Sequence, residues 1–177
     1  MSLSGTTVTF TPNPNYNGPA SFTYTICETA TPTNCDTATA SFTVTAVNDA
    51  PVAVADTLAA IAEDSGPHTI SVATLTGNDT DVDNATSELT IGTVTSGTGG
   101  TVVKNANGTV TFTPALNFVG NATFTYTVCD PGGLCSSAAT VTIPVTAVVD
   151  PPVVDIDDSL PTITKDNTPT ISGTTDM

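Results

Sequence analysis

The chain has 177 residues, with 17 Asp and Glu against 2 Lys and Arg, for a formal net charge of −15 although only 11% of residues are charged. Two cations can neither neutralise a phosphate backbone nor hold the chain on an anionic membrane surface, so nucleic-acid binding and lipid attraction are excluded. Thr (39) and Val (19) are abundant and Trp is absent, which excludes a largely helical protein, while 38% hydrophobic residues can supply a core and argue against disorder.

Taken in order, the opening MSLSGTTVTF has neither a basic n-region nor an apolar h-region, and no run approaches the ~20 apolar residues of a spanning helix. No membrane insertion is expected. Next comes Phe10-Thr-Pro-Asn-Pro-Asn-Tyr-Asn-Gly18, then the strand-like Ser21-Phe-Thr-Tyr-Thr-Ile-Cys27. Both return as Phe112-Thr-Pro-Ala-Leu-Asn-Phe-Val-Gly120 and Thr123-Phe-Thr-Tyr-Thr-Val-Cys129, at an offset of 102 residues. Val44-Thr-Ala-Val-Asn-Asp-Ala-Pro51 returns at an offset of 101 as Val145-Thr-Ala-Val-Val-Asp-Pro-Pro152. A period of about one small domain makes residues 1–50 the C-terminal half of a repeat, 51–150 a complete repeat, and 151–177 the start of a further unit.

Within the complete repeat the pattern predicts strands near 52–59, 68–75, 88–95, 100–103, 109–113, 122–129 and 138–147. Asn107-Gly108 between two of these predicts a type I′ hairpin turn. In 122–129, Phe124, Tyr126 and Val128 alternate with Thr and form one apolar face. Seven short strands without helical periodicity predict an all-β fold of tandem antiparallel seven-stranded β-sandwiches, one complete and two partial.

Cys27 and Cys35 flank CETATPTNC, and Cys129 and Cys135 flank CDPGGLC, each pair closing a turn after a strand-like run. Two local disulfides, four free thiols or one zinc site are the readings open, although these spacings are not those of CxxC knuckles. Disulfides would place the protein in an oxidising, extracellular compartment. With no leader sequence visible, that suggests a piece of a longer exported chain.

The acidic residues are grouped. Asp79, Asp81 and Asp83 alternate in NDTDVD; Asn48 and Asp49 stand at the first repeat junction and Asp150 at the next; Glu63-Asp64 and Asp130 complete the set. Calcium takes six to eight hard oxygen ligands, and carboxylates at i, i+2 and i+4 can supply several. An EF-hand does not fit. With Asp79 at the first loop position, Asn84 stands where Gly is required and Thr90 where Glu is required. In a sandwich of this strand order, Asp79, Asp81, Asp83 and Asp130 share the chain-entry end with Asn48 and Asp49. Glu63 and Asp64 are expected at the opposite end with Asp150. Carboxylates crowded without a basic neighbour repel, and a divalent cation removes the repulsion.

VNDAPVAVAD, AEDS, NDTDVD, GTVTFTP, NFVGNATFTYTV and the closing TAVVDPP, in that order, resemble the bacterial cadherin-like tandem repeat of giant RTX-type surface adhesins, over residues 1–150. The resemblance implies an extracellular, calcium-stiffened spacer that supports cell adhesion. Its ligands would be Asn48, Asp49, Glu63, Asp79, Asp81, Asp83 and Asp130, with Asp150 added beside Glu63 by its place at the second junction, and its partners the neighbouring repeats, with any host or surface ligand bound by other domains. Val149 replaces the Asn of the second linker, and the Cys pairs are not general in that family. TPTISGTTD at 168–176 resembles the first strand of another bacterial Ig-like repeat. The alternative is a sugar- or protein-binding module, or an accessory repeat of a secreted hydrolase; absent Trp and 5% aromatics weigh against sugar platforms. Enzymatic activity is not expected. His68 is the only histidine, opening a strand-like run, with no nucleophile elbow to serve.

Overall fold

A computed structural model describes residues 1–149, so Asp150 and the expected third unit lie outside the described residues. The described chain is all-β, apart from one short α-helix and one 3₁₀ turn. Residues 1–44 form two hairpins, β1 (Ser2–Ser4) with β2 (Thr7–Thr9) and β3 (Gly18–Cys27) with β4 (Cys35–Val44).

After the linker come β5 (Asp56–Thr57), β6 (Ile61–Ala62), β7 (His68–Ile70), α1 (Val72–Thr76), β8 (Thr90–Ser96), β9 (Gly100–Lys104), β10 (Val110–Pro114), β11 (Gly120–Cys129) and β12 (Ala139–Thr146). One sheet runs β5-β12-β11-β8, with β6 also on β12; the other runs β7-β10-β9. Their facing residues make a β-sandwich core. Phe112, Phe124, Val110, Val128 and Val141 are fully buried, and the Phe112 and Phe124 rings stack at 6.1 Å. Alternation explains this, because in β11 every second residue from Ala122 to Val128 is buried while the intervening threonines face outward.

Three local expectations change. The strand expected over 52–59 is instead the pair β5 and β6, and both pair with β12 in parallel, whereas an antiparallel fold was expected throughout. The strand expected over 68–75 stops at Ile70. Ser71 then caps α1, its hydroxyl accepting from the Thr74 N–H at 3.1 Å, and the helical turn buries Leu75 completely. The Asn107-Gly108 turn is not type I′, which needs positive φ at both residues; only Gly108 has it, at 85°. The Gly108 N–H donates to the Asn105 carbonyl and the Asn105 N–H to the Thr109 carbonyl, giving a type I turn followed by a left-handed glycine.

The β3–β4 ladder, from Gly18 opposite Val44 to Cys27 opposite Cys35, repeats the β11–β12 pairing in sequence but not in burial. Tyr126 is 1% exposed, whereas its counterpart Tyr24 is 43% exposed. Phe42 is covered in part by Phe10, edge to face at 4.8 Å, and by Phe22 at 6.3 Å.

Candidate cation site at the linker

Both cysteine pairs are disulfides. Cys27–Cys35 and Cys129–Cys135 close loops at the ends of β3 and β11, with Cα atoms 4.0 and 4.1 Å apart, and no described cysteine is free. The second loop presents Asp130, which is 5% exposed. The Leu134 N–H donates to Asp130 Oδ1 at 2.9 Å, and the Asn48 amide donates to Oδ2 at 2.7 Å. Burial raises the Asp130 pKa, but the Asn48 amide and the backbone N–H groups of Leu134, Gly133 and Gly132 outweigh it and hold the carboxyl below its usual range. Next along the linker, the Asp49 N–H donates to Asp83 Oδ2 at 2.8 Å. Consecutive linker residues thus reach two loops of the sandwich, Asn48 by its side chain to Asp130 and Asp49 by its backbone to Asp83. A cleft of about 290 Å³ lined in part by Tyr16, Val47, Asp49 and Asp83 opens beside them.

Asp81 belongs to the same loop. Its Oδ1 accepts from the Asp83 and Asn84 N–H groups at 2.8 and 2.9 Å, a tight Asx turn that folds the NDTDVD segment back on itself. Its Oδ2 is buried without any donor, and so is Asn84 Oδ1. Sequence reasoning missed Asn84 as a candidate; its place three residues after Asp81, within reach of an Asx turn, was the available signal.

Asp79 faces elsewhere. It is 2% exposed, its Oδ1 accepts from the Val54 N–H at 2.7 Å, and it lies against the Tyr126 hydroxyl at 3.3 and 3.4 Å. That hydroxyl also contacts Asp56 Oδ2 at 2.8 Å and the Leu75 and Val54 carbonyls at 2.8 and 3.1 Å. Burial pushes both the Asp56 and Asp79 carboxyls above their usual range, and burial with the two carboxylates pushes Tyr126 far up, so it stays a donor. Asp79 thus ties the 52–56 segment to the core, a role the alternation of NDTDVD did not reveal.

Glu63 lies at the far end of the sandwich. It follows β6, whose Ile61 pairs with Val145, and its Oε1 accepts from the Val148 N–H at 2.7 Å, where the chain leaves β12. Asp64, at φ 55°, accepts from the Asn117 N–H at 2.9 Å. His68 opens β7, and its Nε2 meets the Ser65 hydroxyl at 2.7 Å.

A hard divalent cation would need unsatisfied oxygen donors. Asp81 Oδ2 and Asn84 Oδ1 meet that requirement, since a buried acceptor without a donor costs about 1–3 kcal/mol. Asp83 and Asp130 add negative charge, already partly answered by linker N–H groups. The one basic side chain among the described residues does not, because Lys104 gives its Nζ to the Gly92 carbonyl. No three His, Cys, Asp or Glu side chains among the described residues are grouped as a metal cage. The oxygen set suits calcium in kind and would have to draw together around it.

None of the curated proteins matches the chain. Among solved structures it is similar to the endo-fucoidan hydrolase MfFcnA4 from glycoside hydrolase family 107, at 18% identity and a TM-score of 0.39, over 78% of this chain and 20% of that one. A variant of the same enzyme gives 17% identity and a TM-score of 0.38 over the same shares. The chain thus spans about a fifth of the length of those enzymes. The cadherin-like domain family matches residues 3–45 and again 47–146, the two matches meeting at the linker that carries Asn48 and Asp49. With both stretches matched, the chain belongs to the cadherin-like domain family.

Proposed function

We propose that the chain is a non-catalytic, extracellular spacer of tandem cadherin-like units, stiffened by calcium at the linker, in a large surface adhesin. The observation that carries this reading is the pair of buried acceptors without donors, Asp81 Oδ2 and Asn84 Oδ1, in the loop that meets the linker. Asp81, Asp83, Asn84 and Asp130 would hold the ion together with Asn48 and Asp49, while Glu63 and Asp150 would serve the next junction. Calcium would supply charge neutralisation there, and the chain would supply hard oxygens from the linker and from the unit that follows it. Two disulfides support an oxidising, extracellular setting.

Extracellular modules bind calcium near about 10⁻⁴–10⁻³ M, so millimolar calcium outside a cell would load the site while cytosolic levels would not. The ion would stabilise the folded state by about 2.7 kcal/mol at a hundredfold excess over Kd. Thermal melts and small-angle scattering in calcium and in chelator test this. The melting point is expected to rise with calcium and the scattering profile to become that of a stiffer particle. Asp81→Ala should abolish the calcium response of this junction, and Asp36→Ala, in β4 away from the linker, should keep it. A melting point and profile unchanged up to millimolar calcium would leave a plain acidic spacer.

A further inference from the structure

The linker residue Asn48 does not rest on a sheet or a helix but on a loop closed by a covalent bond. Cys129 and Cys135 face each other as an isolated bridge beyond the β11–β12 ladder, and the loop between them is held by reciprocal contacts of its first and last residues. The Asp130 N–H donates to the Leu134 carbonyl at 3.0 Å, the Gly133 N–H to the Asp130 carbonyl at 3.2 Å, and the Leu134 N–H to Asp130 Oδ1 at 2.9 Å. This leaves Oδ2 for the Asn48 amide at 2.7 Å. The Asn48 amide also packs flat against Gly132; a Cβ there would come within 2.7 Å of Asn48 Nδ2 and 2.9 Å of its Oδ1. Only a residue without a side chain leaves that space. The sulfur is fitted with equal care, since a Cβ on Gly92 of β8 would stand 2.6 Å from Cys129 Sγ.

The first unit carries the same device. Glu28 follows Cys27 as Asp130 follows Cys129, and its N–H donates to the Asn34 carbonyl at 3.0 Å, the bond made by Asp130 and Leu134. The Thr31 hydroxyl donates to the Glu28 carboxylate, which with Asn34 holds its pKa below the usual range. An acidic side chain fixed in a disulfide-closed loop at the end of the penultimate strand is therefore built twice, and in the second copy it seats the linker of the unit before it.

We propose that the Cys129–Cys135 loop is a redox-sensitive seat for the inter-unit linker. Oxidised, it presents Asp130 and the bare face of Gly132 to Asn48, and the Asn48 bond in turn places the Asp49 N–H on Asp83. On reduction the disulfide takes two electrons and two protons from a dithiol, which closes to its own disulfide, and leaves two thiols. The Asp130 loop then loses its covalent closure and Asn48 its seat. The sandwich core, built on Phe112, Phe124 and Tyr126, includes neither cysteine and is expected to hold without that bond. The proposal is independent of the calcium reading and is tested in chelator.

The experiment follows the Asn48 side-chain amide and the exchange rate of the Asp49 amide by NMR in the full chain. Cys129→Ser with Cys135→Ser is compared with Cys27→Ser with Cys35→Ser, and with the parent chain before and after dithiothreitol. The first pair and the reduced parent should shift the Asn48 resonances and speed Asp49 exchange about tenfold or more, the loss of a hydrogen bond to a charged group. The second pair should leave both as in the parent. Gly132→Ala, with both disulfides intact, should reproduce the release by filling the space under Asn48. Unchanged Asn48 resonances in Gly132→Ala, or in the reduced parent, would overturn the proposal. So would loss of protection at Phe124 and Tyr126 on reduction, because the bond would then guard the whole unit and not the linker.

Discussion

One hydroxyl proton serves an unusual number of acceptors at Tyr126, where Asp56, Asp79 and the Leu75 and Val54 carbonyls all surround the same oxygen. Tyr126→Phe would keep the ring in its place among Phe124 and Val128 but remove the only donor shared by these groups. It should cost about 1–3 kcal/mol, read from urea unfolding, because buried acceptors would be left unpaired. The same cluster sets a pH dependence opposite to that of an ordinary carboxylate. Burial, with some help from the charge of Asp79 and against the Tyr126 hydrogen bond, holds Asp56 above its usual value. The folded chain then keeps a proton that the unfolded chain has released, so stability falls as pH rises from the ordinary Asp range through the raised value. Asp56→Asn cannot lose that proton. Its melting point relative to the parent should therefore climb with pH across that window and then level off. A pH-independent difference would show that Asp56 ionises normally in the fold.

Elements built from long alternating runs were legible, and those decided by a few polar atoms were not. Phe124, Tyr126 and Val128 fall on one face of β11 because a strand has a two-residue period, and the sequence displays that period without ambiguity. HTISVATL displays the same β-branched character, yet it divides into β7 and α1 because the Ser71 hydroxyl can satisfy a helix N–H and Leu75 reaches the core only from a helical turn. The Asn107-Gly108 pair likewise admits two turn types, and the one observed depends on Asn107 keeping a negative φ while Gly108 alone turns left-handed. The candidate site divides in the same way. Grouped carboxylates marked the loop, but that Asp79 turns to Tyr126 while Asp81 keeps a bare oxygen depends on partners distant in sequence. Two glycines distinguish backbone from packing constraints at this scale. A Cβ on Gly100 would lie 2.4 Å from the Thr113 carbonyl oxygen and 2.5 Å from the Phe112 ring, so Gly100→Ala should destabilise by about 1–3 kcal/mol through overpacking. A Cβ on Gly108 would meet Val72 Cγ2 at an ordinary 3.6 Å, but its φ is +85°, so Gly108→Ala should cost about 1 kcal/mol by backbone strain. Equal stability of Gly100→Ala and the parent would mean that β9 shifts freely against β10.

Across the whole molecule the same hairpin occurs twice in different surroundings, which makes the contribution of the second sheet measurable within one chain. The β11–β12 hairpin has β8 on one edge, β5 and β6 on the other, and the β7-β10-β9 sheet against its apolar face. The β3–β4 hairpin has a ten-residue strand of the same pattern on each side and its own disulfide, yet among the described residues neither of its outer edges pairs with another strand. Alternation, aromatic content and cross-linking are thus nearly matched, and burial is not: Ile26 is 67% exposed where its counterpart Val128 is fully buried. Since local opening is governed by how much apolar surface and hydrogen bonding must be given up, the two hairpins should open with very different free energies. Amide exchange in the intact chain should be markedly faster over 1–45 than over 52–147, with the β3 amides exchanging well before the β11 amides that match them in sequence. The Cys27–Cys35 bond limits how far β3 and β4 can separate but covers no apolar area, so reducing it should speed exchange near Cys27 and change little near Gly18. Equal protection of β3 and β11 in a demonstrated monomer would mean that strand pairing and one disulfide suffice to hold such a hairpin closed, without a sheet packed against it.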